Sequence, residues 1–456
     1  MKLKKLKLLL TTVLIGSFVL SGCGSLGKKS SEKDSDRTLR ILTGVVGGKD
    51  AKGHELFVKE LEKHLGCKVE MVKPSADYDK KMFTALSSGE NYDLVYSTAP
   101  NMNILIDKGA IKDLSEDIKN SKILSDTNKI PESEWDLIKT KDGKLYGVPN
   151  KFEGGTMPIV RKDWLKELGM KTPVTLDDWH EYFKAAKKKY GAYGISTSGL
   201  YDIQGFMSAA GVKAGYVEKD GKKTIPYATK EAAPIYDWFA KLNKEGLLDP
   251  NFASNGSDDF RKLFLSDKAA SVTYWDMWVG LFNNMKKSED PNTKFEAEGV
   301  PAVPDKDGKI TMRRGDSSVW LMPVNAKNQD LAMKFLEFWH SDPGYIMGTL
   351  GVKDYDYKVN NGKYTLTEIG EKAGMDHGAP RVSNPNWKNP IGELPGVKKA
   401  QEIAVKYGTI ENLPAKWDDA KPIVEKWAFK AMKGEVKGEE AVNNMQKELK
   451  SKNLID

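Results

Sequence analysis

The chain has 456 residues, 30% of them charged and 39% hydrophobic, with a formal net charge of +7. Such a composition describes a globular protein with room for two or three lobes at roughly 150 residues each. It excludes a chain built on spanning helices, since beyond the N-terminal segment no apolar run approaches ~18 residues, and it lends no support to nucleic-acid binding.

Lys2, Lys4, Lys5 and Lys7 precede an apolar run from Leu8 to Leu20, which closes on Leu20-Ser21-Gly22-Cys23. Charge, then apolar segment, then small residues at a cut is the order of a signal peptide, and the run is too short for a comfortable span. The closing motif is a lipobox and resembles that of bacterial lipoprotein precursors, in which the cysteine sulfur receives a diacylglyceryl group before cleavage. That resemblance implies removal of residues 1–22 and a mature chain that begins at Cys23, lipid-anchored on the outer face of the cytoplasmic membrane. Losing four lysines brings the net charge to +3. With Cys23 in a thioether, Cys67 has no disulfide partner and reads as a small buried hydrophobe.

Residues 24–36 (GSLGKKSSEKDSD) carry one large apolar side chain among Ser, Lys and Asp, the composition of a flexible tether. Order begins at Arg37. The patterns predict a strand over Leu39 to Thr43, a helix over Ala51 to Leu65 with Phe57, Leu61 and Leu65 at spacing four, and a strand over Val69 to Val72. A helix over Tyr78 to Ser88 and a strand over Asp93 to Tyr96 complete the alternation. It implies an α/β fold whose ligands bind beyond the carboxyl ends of parallel strands, at the loops Gly44 to Asp50 and Ser97 to Asn103, with Asn101 a candidate contact. Asp142-Gly143 marks a turn before a strand at Leu145 to Val148, and a lobe boundary falls near Asn150. Further helices are expected over Asp163 to Leu168, Leu176 to Lys189 (capped by Thr175) and Lys230 to Glu245. The last ~130 residues read mainly as loops and helices.

Asp142-Gly143-Lys144-Leu145-Tyr146-Gly147-Val148-Pro149 and Val160 to Gly169 (VRKDWLKELG) resemble blocks of the maltose-binding class of extracellular solute-binding proteins. Gly246 to Phe252 (GLLDPNF), Phe264 to Trp275 (FLSDKAASVTYW) and Trp320 to Gly344 continue the match in order. Leu350 to Gly362 is similar to large Gram-positive lipoproteins and alginate-binding proteins. The resemblance implies two α/β lobes joined by a multi-stranded hinge, the periplasmic-binding-protein fold, acting as a monomer that delivers an oligosaccharide from an interlobe cleft to an ABC importer. It also implies boundaries: an N-terminal lobe of 37–150 plus 304–327, and a C-terminal lobe of 151–303 plus 328–456. Alginate-binding relatives carry a calcium loop where this chain has Tyr190-Gly191-Ala192-Tyr193-Gly194; without carboxylates no calcium is expected there.

Sugars present apolar C–H faces and a rim of hydroxyls, so their sites combine aromatic platforms with planar hydrogen-bonding groups. Tyr274-Trp275-Asp276-Met277-Trp278 supplies both. Trp275 coincides with the family position that commonly stacks on sugar; the competing reading pairs Trp275 and Trp278 as helical core at spacing three. Arg313 and Arg314, beside Asp316, offer two guanidiniums that would suit the carboxylate of an acidic sugar, or else lie solvated after a hairpin at Asp307-Gly308. Trp320 is either cleft wall or core. Glu153, before paired glycines, is either a hydroxyl acceptor or a solvated hinge acid. Arg381 and Trp387, in the polar loop from Pro380 to Pro390, cover one end of the cleft.

Enzyme signatures are missing. The chain has no H-E-x-x-H, G-x-S-x-G, C-x-x-C or G-x-x-x-x-G-K-[ST], and His54, His64, His180, His340 and His377 show no ligand spacing, so neither catalysis nor a metal or cofactor is expected. Two alternatives stay open: a surface glycan hydrolase or lyase, whose carboxylates need not be close in sequence, and a receptor for peptides or other polar solutes.

Overall fold

The strands are β1 (Thr38–Leu42), β2 (Lys68–Val72), β3 (Leu94–Thr98), β4 (Gly147–Pro149), β5 (Gly155–Arg161), β6 (Val217–Lys219) and β7 (Lys222–Thr224). They continue with β8 (Ser271–Trp275), β9 (Ala297–Gly299), β10 (Met312–Arg314), β11 (Ser318–Leu321), β12 (Tyr357–Asn360), β13 (Lys363–Leu366) and β14 (Gly408–Thr409). The computed structural model describes residues 33–456 except 220, 412 and 415. The expected signal peptide 1–22, the expected lipidation site Cys23 and most of the expected tether lie outside the described residues.

One sheet runs β2-β1-β3-β11-β4; the other runs β14-β10-β5-β8 with β9 also on β5. The first lobe follows from local rules. The Asp50 carboxylate caps the helix Ala51–Leu65 by accepting from Gly53 N–H at 2.7 Å, and Gly66 ends it at φ 66°, where a side chain would be strained. Phe57, Leu61 and Leu65 are all buried in one core with Leu39 and Ile41, each worth roughly 1.5–3 kcal/mol of transfer free energy. Having returned, the chain begins β2 parallel to β1, Thr38 opposite Lys68. In the second lobe all seven residues of β5 are buried, and Thr175 and Asp178 form a reciprocal capping box on the helix Leu176–Tyr190.

Three expectations about organisation are corrected. The described end of the tether is tied down: Asp34–Asp36 is a short 3-10 turn, and Arg37 bridges Asp34 at 3.2 Å and Asp330 at 2.5 Å. Residues 304–314 belong to the second lobe, because Met312 is core there and β10 pairs with β5. The chain therefore recrosses at 315–317 rather than near Pro304, and β11 enters the first sheet antiparallel to β3 and β4. Residues beyond Lys327 stay with the first lobe, since Leu331, Phe335, Trp339 and Tyr345 share the core of Leu39, and Ala379 and Val382 still belong to it. The third passage is the segment after Val382, leading to the helix Val397–Tyr407, whose Ala400 and Ile403 pack with Met157 and Ile159. Apolar periodicity marks a buried helix face but not which sheet it covers.

Candidate functional site between the lobes

Two of the three crossings are knit together beside a pair of indoles. β5 starts at Gly155, whose carbonyl accepts from Asp276 N–H at 2.9 Å, while Gly154 O accepts from Gly315 N–H at 3.0 Å. Trp275 ends β8 opposite Thr156, and Asp276 begins the helix Met277–Glu289. Small residues are required here: a Cβ on Gly315 would sit 2.8 Å from the Trp275 ring, and one on Gly154 would sit 2.1 Å from Asp276 Oδ1.

Around this junction lies a cavity of about 210 Å³ lined by Lys151, Phe152, Glu153, Trp275, Asp276, Trp278, Asp376, Arg381 and Gln401, among others. A second chamber of about 470 Å³ shares Met277, Pro380, Arg381 and Gln401 with it and adds Trp387, Glu393, Lys398, Glu402 and Lys406. Together they match the size range of ligand clefts, roughly 300–1,000 Å³.

Trp275, Trp278, Glu153 and Arg381 thus meet in one cavity, with Trp387 in the adjoining chamber. Both indoles are half-buried. Arg313 sits over Trp275 at 5.3 Å, while Trp278 also packs on Tyr274 and Phe282 with Arg261 4.0 Å above it, so Trp278 is wall and core at once. Glu153 accepts from the hydroxyl and, at 3.3 Å, from the N–H of Ser318, with Lys151 at 3.9 Å. Trp387 packs edge-on against Tyr345.

Other expectations are overturned. Trp320 is fully buried in the first core, its Nε1–H donating to Asn150 Oδ1 at 2.9 Å and its ring set against Tyr96, Phe335 and Trp339. It touches no cleft because β11 runs between β3 and β4. Arg313 and Arg314 form no open clamp: Arg313 Nε donates to Glu411 at 2.7 Å, and Arg314 Nη2 donates to Glu134 at 2.8 Å. Asp316, half-buried, lines neither chamber; burial raises its pKa, opposed by the Arg313 charge. Asn101 also lines neither. The segment read as a loop turns helical at Ala99, because Pro100 has the φ a first helical turn needs.

Sequence reasoning passed over Phe152 and Lys151 as contacts and took Asp276 only as the acid beside the indoles. Phe152 lies under Arg381 at 4.0 Å and Arg314 at 5.0 Å, and its N–H donates to Arg381 O at 3.0 Å. Asp276 is only 3% exposed; Oδ1 accepts from Met277 N–H at 2.9 Å, while Oδ2 has no partner. Desolvation pushes its pKa up to about 6, against the pull of that N–H and of Arg381. Arg381 Nη1 is also buried without a partner, and burial works against its charge. A buried acceptor and a buried donor without partners each cost about 1–3 kcal/mol. Among the described residues no group of three or more His, Cys, Asp or Glu could hold a metal ion.

Two α/β lobes, a crossing hinge and an aromatic cleft with unfilled polar groups define a solute-binding protein. The chain belongs to the family of bacterial extracellular solute-binding proteins, whose model matches residues 57–350. It is 23% identical over 385 residues to lipoprotein LipO of Bacillus subtilis (strain 168), covering 79% of this chain and 75% of that one. Similarity to the fructooligosaccharide ABC transporter substrate-binding protein FusA of Streptococcus pneumoniae serotype 4 (strain ATCC BAA-334 / TIGR4) is 28% over 389 residues, covering 75% and 70%. The fold matches the crystal structure of alginate-binding protein AlgQ2 without calcium ion, with a TM-score of 0.68 at 18% identity over 92% of this chain and 96% of that one.

Proposed function

We propose that this protein is the substrate-binding lipoprotein of an ABC importer: held to the outer face of the cytoplasmic membrane through Cys23, it captures an oligosaccharide between its lobes and hands it to a permease. It performs no reaction. The observation that carries this reading is the grouping of Trp275, Trp278 and Phe152 with Glu153, Asp276 and Arg381 in the wall of one cavity. A pyranose or furanose ring lays its C–H face on an indole and turns its hydroxyls to planar donors and acceptors. A hydroxyl both donates and accepts, so ring hydroxyls suit a wall that holds both carboxylates and a guanidinium.

Ligand bound by both lobes favours the closed arrangement by the difference in its affinity for the two forms, and a closed receptor is what a permease distinguishes from an empty one. Support for the sugar class comes from the names of relatives such as FusA. Among the described residues no helix is long and apolar enough to cross a membrane.

A thermal-shift screen of the mature chain against neutral oligosaccharides, uronic oligosaccharides and short peptides tests the reading, because binding to the native form alone raises the melting temperature. At least one glycan should raise it while peptides do not. Protection by peptides alone, or release of new reducing ends from a bound glycan, would contradict the proposal.

A further inference from the structure

We propose that the cleft selects uncharged glycans over uronates and that Asp276 sets this choice; the inference rests on the glycan-receptor reading above. Charge bookkeeping around the cavity carries it. A uronate is held by a free guanidinium or ammonium, and of the cations here Arg313, Arg314 and Lys151 already face carboxylates, while Arg381 lies in the field of Asp276. Arg313 binds Glu411, whose side chain is 2% exposed, and Arg314 binds Glu134, whose side chain is 5% exposed. Both guanidiniums neutralise buried carboxylates that would otherwise stand alone in the hinge.

Lys151 has Glu153 at 3.9 Å and lies in the field of Asp376 and Asp276 as well. The walls of the first chamber therefore hold two cations, Lys151 and Arg381, against three carboxylates, Glu153, Asp276 and Asp376. The second chamber adds Lys398 and Lys406 against Glu393 and Glu402 and shares Arg381 with the first, so over both chambers four cations stand against five carboxylates. A ligand carboxylate would enter a space with no surplus positive charge.

Asp276 makes that entry costly. Its carboxylate is buried in the cavity wall, its Oδ2 has no hydrogen-bond partner, and it is held in place by Met277 N–H on one oxygen and the side-chain-free Gly154 beside it. An acceptor without a donor welcomes a hydroxyl and repels a second carboxylate. Burial already raises the Asp276 pKa, and another negative charge nearby would raise it further.

Calorimetry with matched pairs tests the inference on the full mature chain: mannotetraose with tetramannuronate, galactotetraose with tetragalacturonate, cellotetraose with tetraglucuronate. A neutral member should bind, at least about tenfold tighter than its uronide. Asp276→Asn should shrink that ratio. Asp376→Asn, on a side chain 41% exposed, should shrink it less, and it serves if Asp276→Asn does not fold. A uronide that binds as tightly as its neutral partner, or a ratio unmoved by both substitutions, would overturn the inference while leaving the receptor reading intact. Binding by no member of any pair would overturn both.

Discussion

Arg314, on the second sheet, donates from Nη2 to Glu134 at 2.8 Å, and Glu134 lies on the helix Glu132–Asp136, whose Trp135 is part of the first core. One ion pair thus bridges the lobes next to the hinge. Glu134→Gln would leave the Arg314 charge poorly compensated where it is 17% exposed. The expected cost is roughly 3 kcal/mol in denaturant titration. Arg314→Met combined with Glu134→Leu should recover most of it, because an apolar pair replaces the ion pair; a double variant that loses the sum of its two single losses would show that the two groups do not interact.

The three tryptophans at issue should separate by readout. Trp275→Ala is expected to weaken glycan binding by roughly 1–3 kcal/mol, taking base stacking as the measure, with little loss of stability. For Trp278→Ala both affinity and stability fall, because Tyr274 and Phe282 lose a neighbour. Trp320→Ala should cost about 3–5 kcal/mol of stability, and a refolded sample should keep its affinity. Calorimetry and chemical denaturation on the same samples check all three.

Those contrasts also show what the residues disclosed in advance. The first lobe was readable because its elements carry their own signals: alternation over Val69 to Val72 and spacing of four in Phe57, Leu61 and Leu65; the caps Asp50 and Gly66 came from the structure. The indoles at 275 and 278 were readable as a site because two aromatics flank an acid at the end of a strand. Trp320 was not, since a tryptophan opening a strand looks the same whether its neighbours are solvent or β3 and β4. Arg313 and Arg314 misled for a similar reason: the carboxylates that claim them lie 98 and 180 residues away, and no local pattern reports a partner at that distance. Phe152 was hidden between more conspicuous neighbours, Glu153 and the paired glycines.

Gly154→Ala tests the packing at the hinge. A methyl group 2.1 Å from Asp276 Oδ1 must displace the carboxylate or the strand, at a cost of about 1–3 kcal/mol. Glycan affinity should fall with it. An alanine variant that binds and melts like the parent would mean the carboxylate can move freely.

His340 supplies a pH dependence. Nε2 lies 2.9 Å from Pro149 O and Nδ1 lies 3.0 Å from Ser383 Oγ, so the neutral ring donates to the carbonyl and accepts from the hydroxyl. Burial pushes its pKa down to about 4, with the Pro149 carbonyl working the other way. The folded value lies below the unfolded one of about 6.5, so this stability is full above pH 6.5 and is lost as pH falls from 6.5 to 4, on the order of 3 kcal/mol in all. His340→Gln keeps a donor for Pro149 and does not titrate. The stability difference between parent and variant should therefore narrow as the pH drops through that window, and a difference that stays flat would show that His340 ionises normally in the fold.

Closure around a sugar is the step on which the receptor reading stands, and small-angle X-ray scattering of the mature protein sees it without labels. Titrating in the glycan that gives the largest thermal shift should lower the radius of gyration and saturate at the concentration calorimetry reports, with the response lost or moved to higher concentration in Trp275→Ala. Superimposable curves with and without saturating glycan would show that the lobes do not close on it.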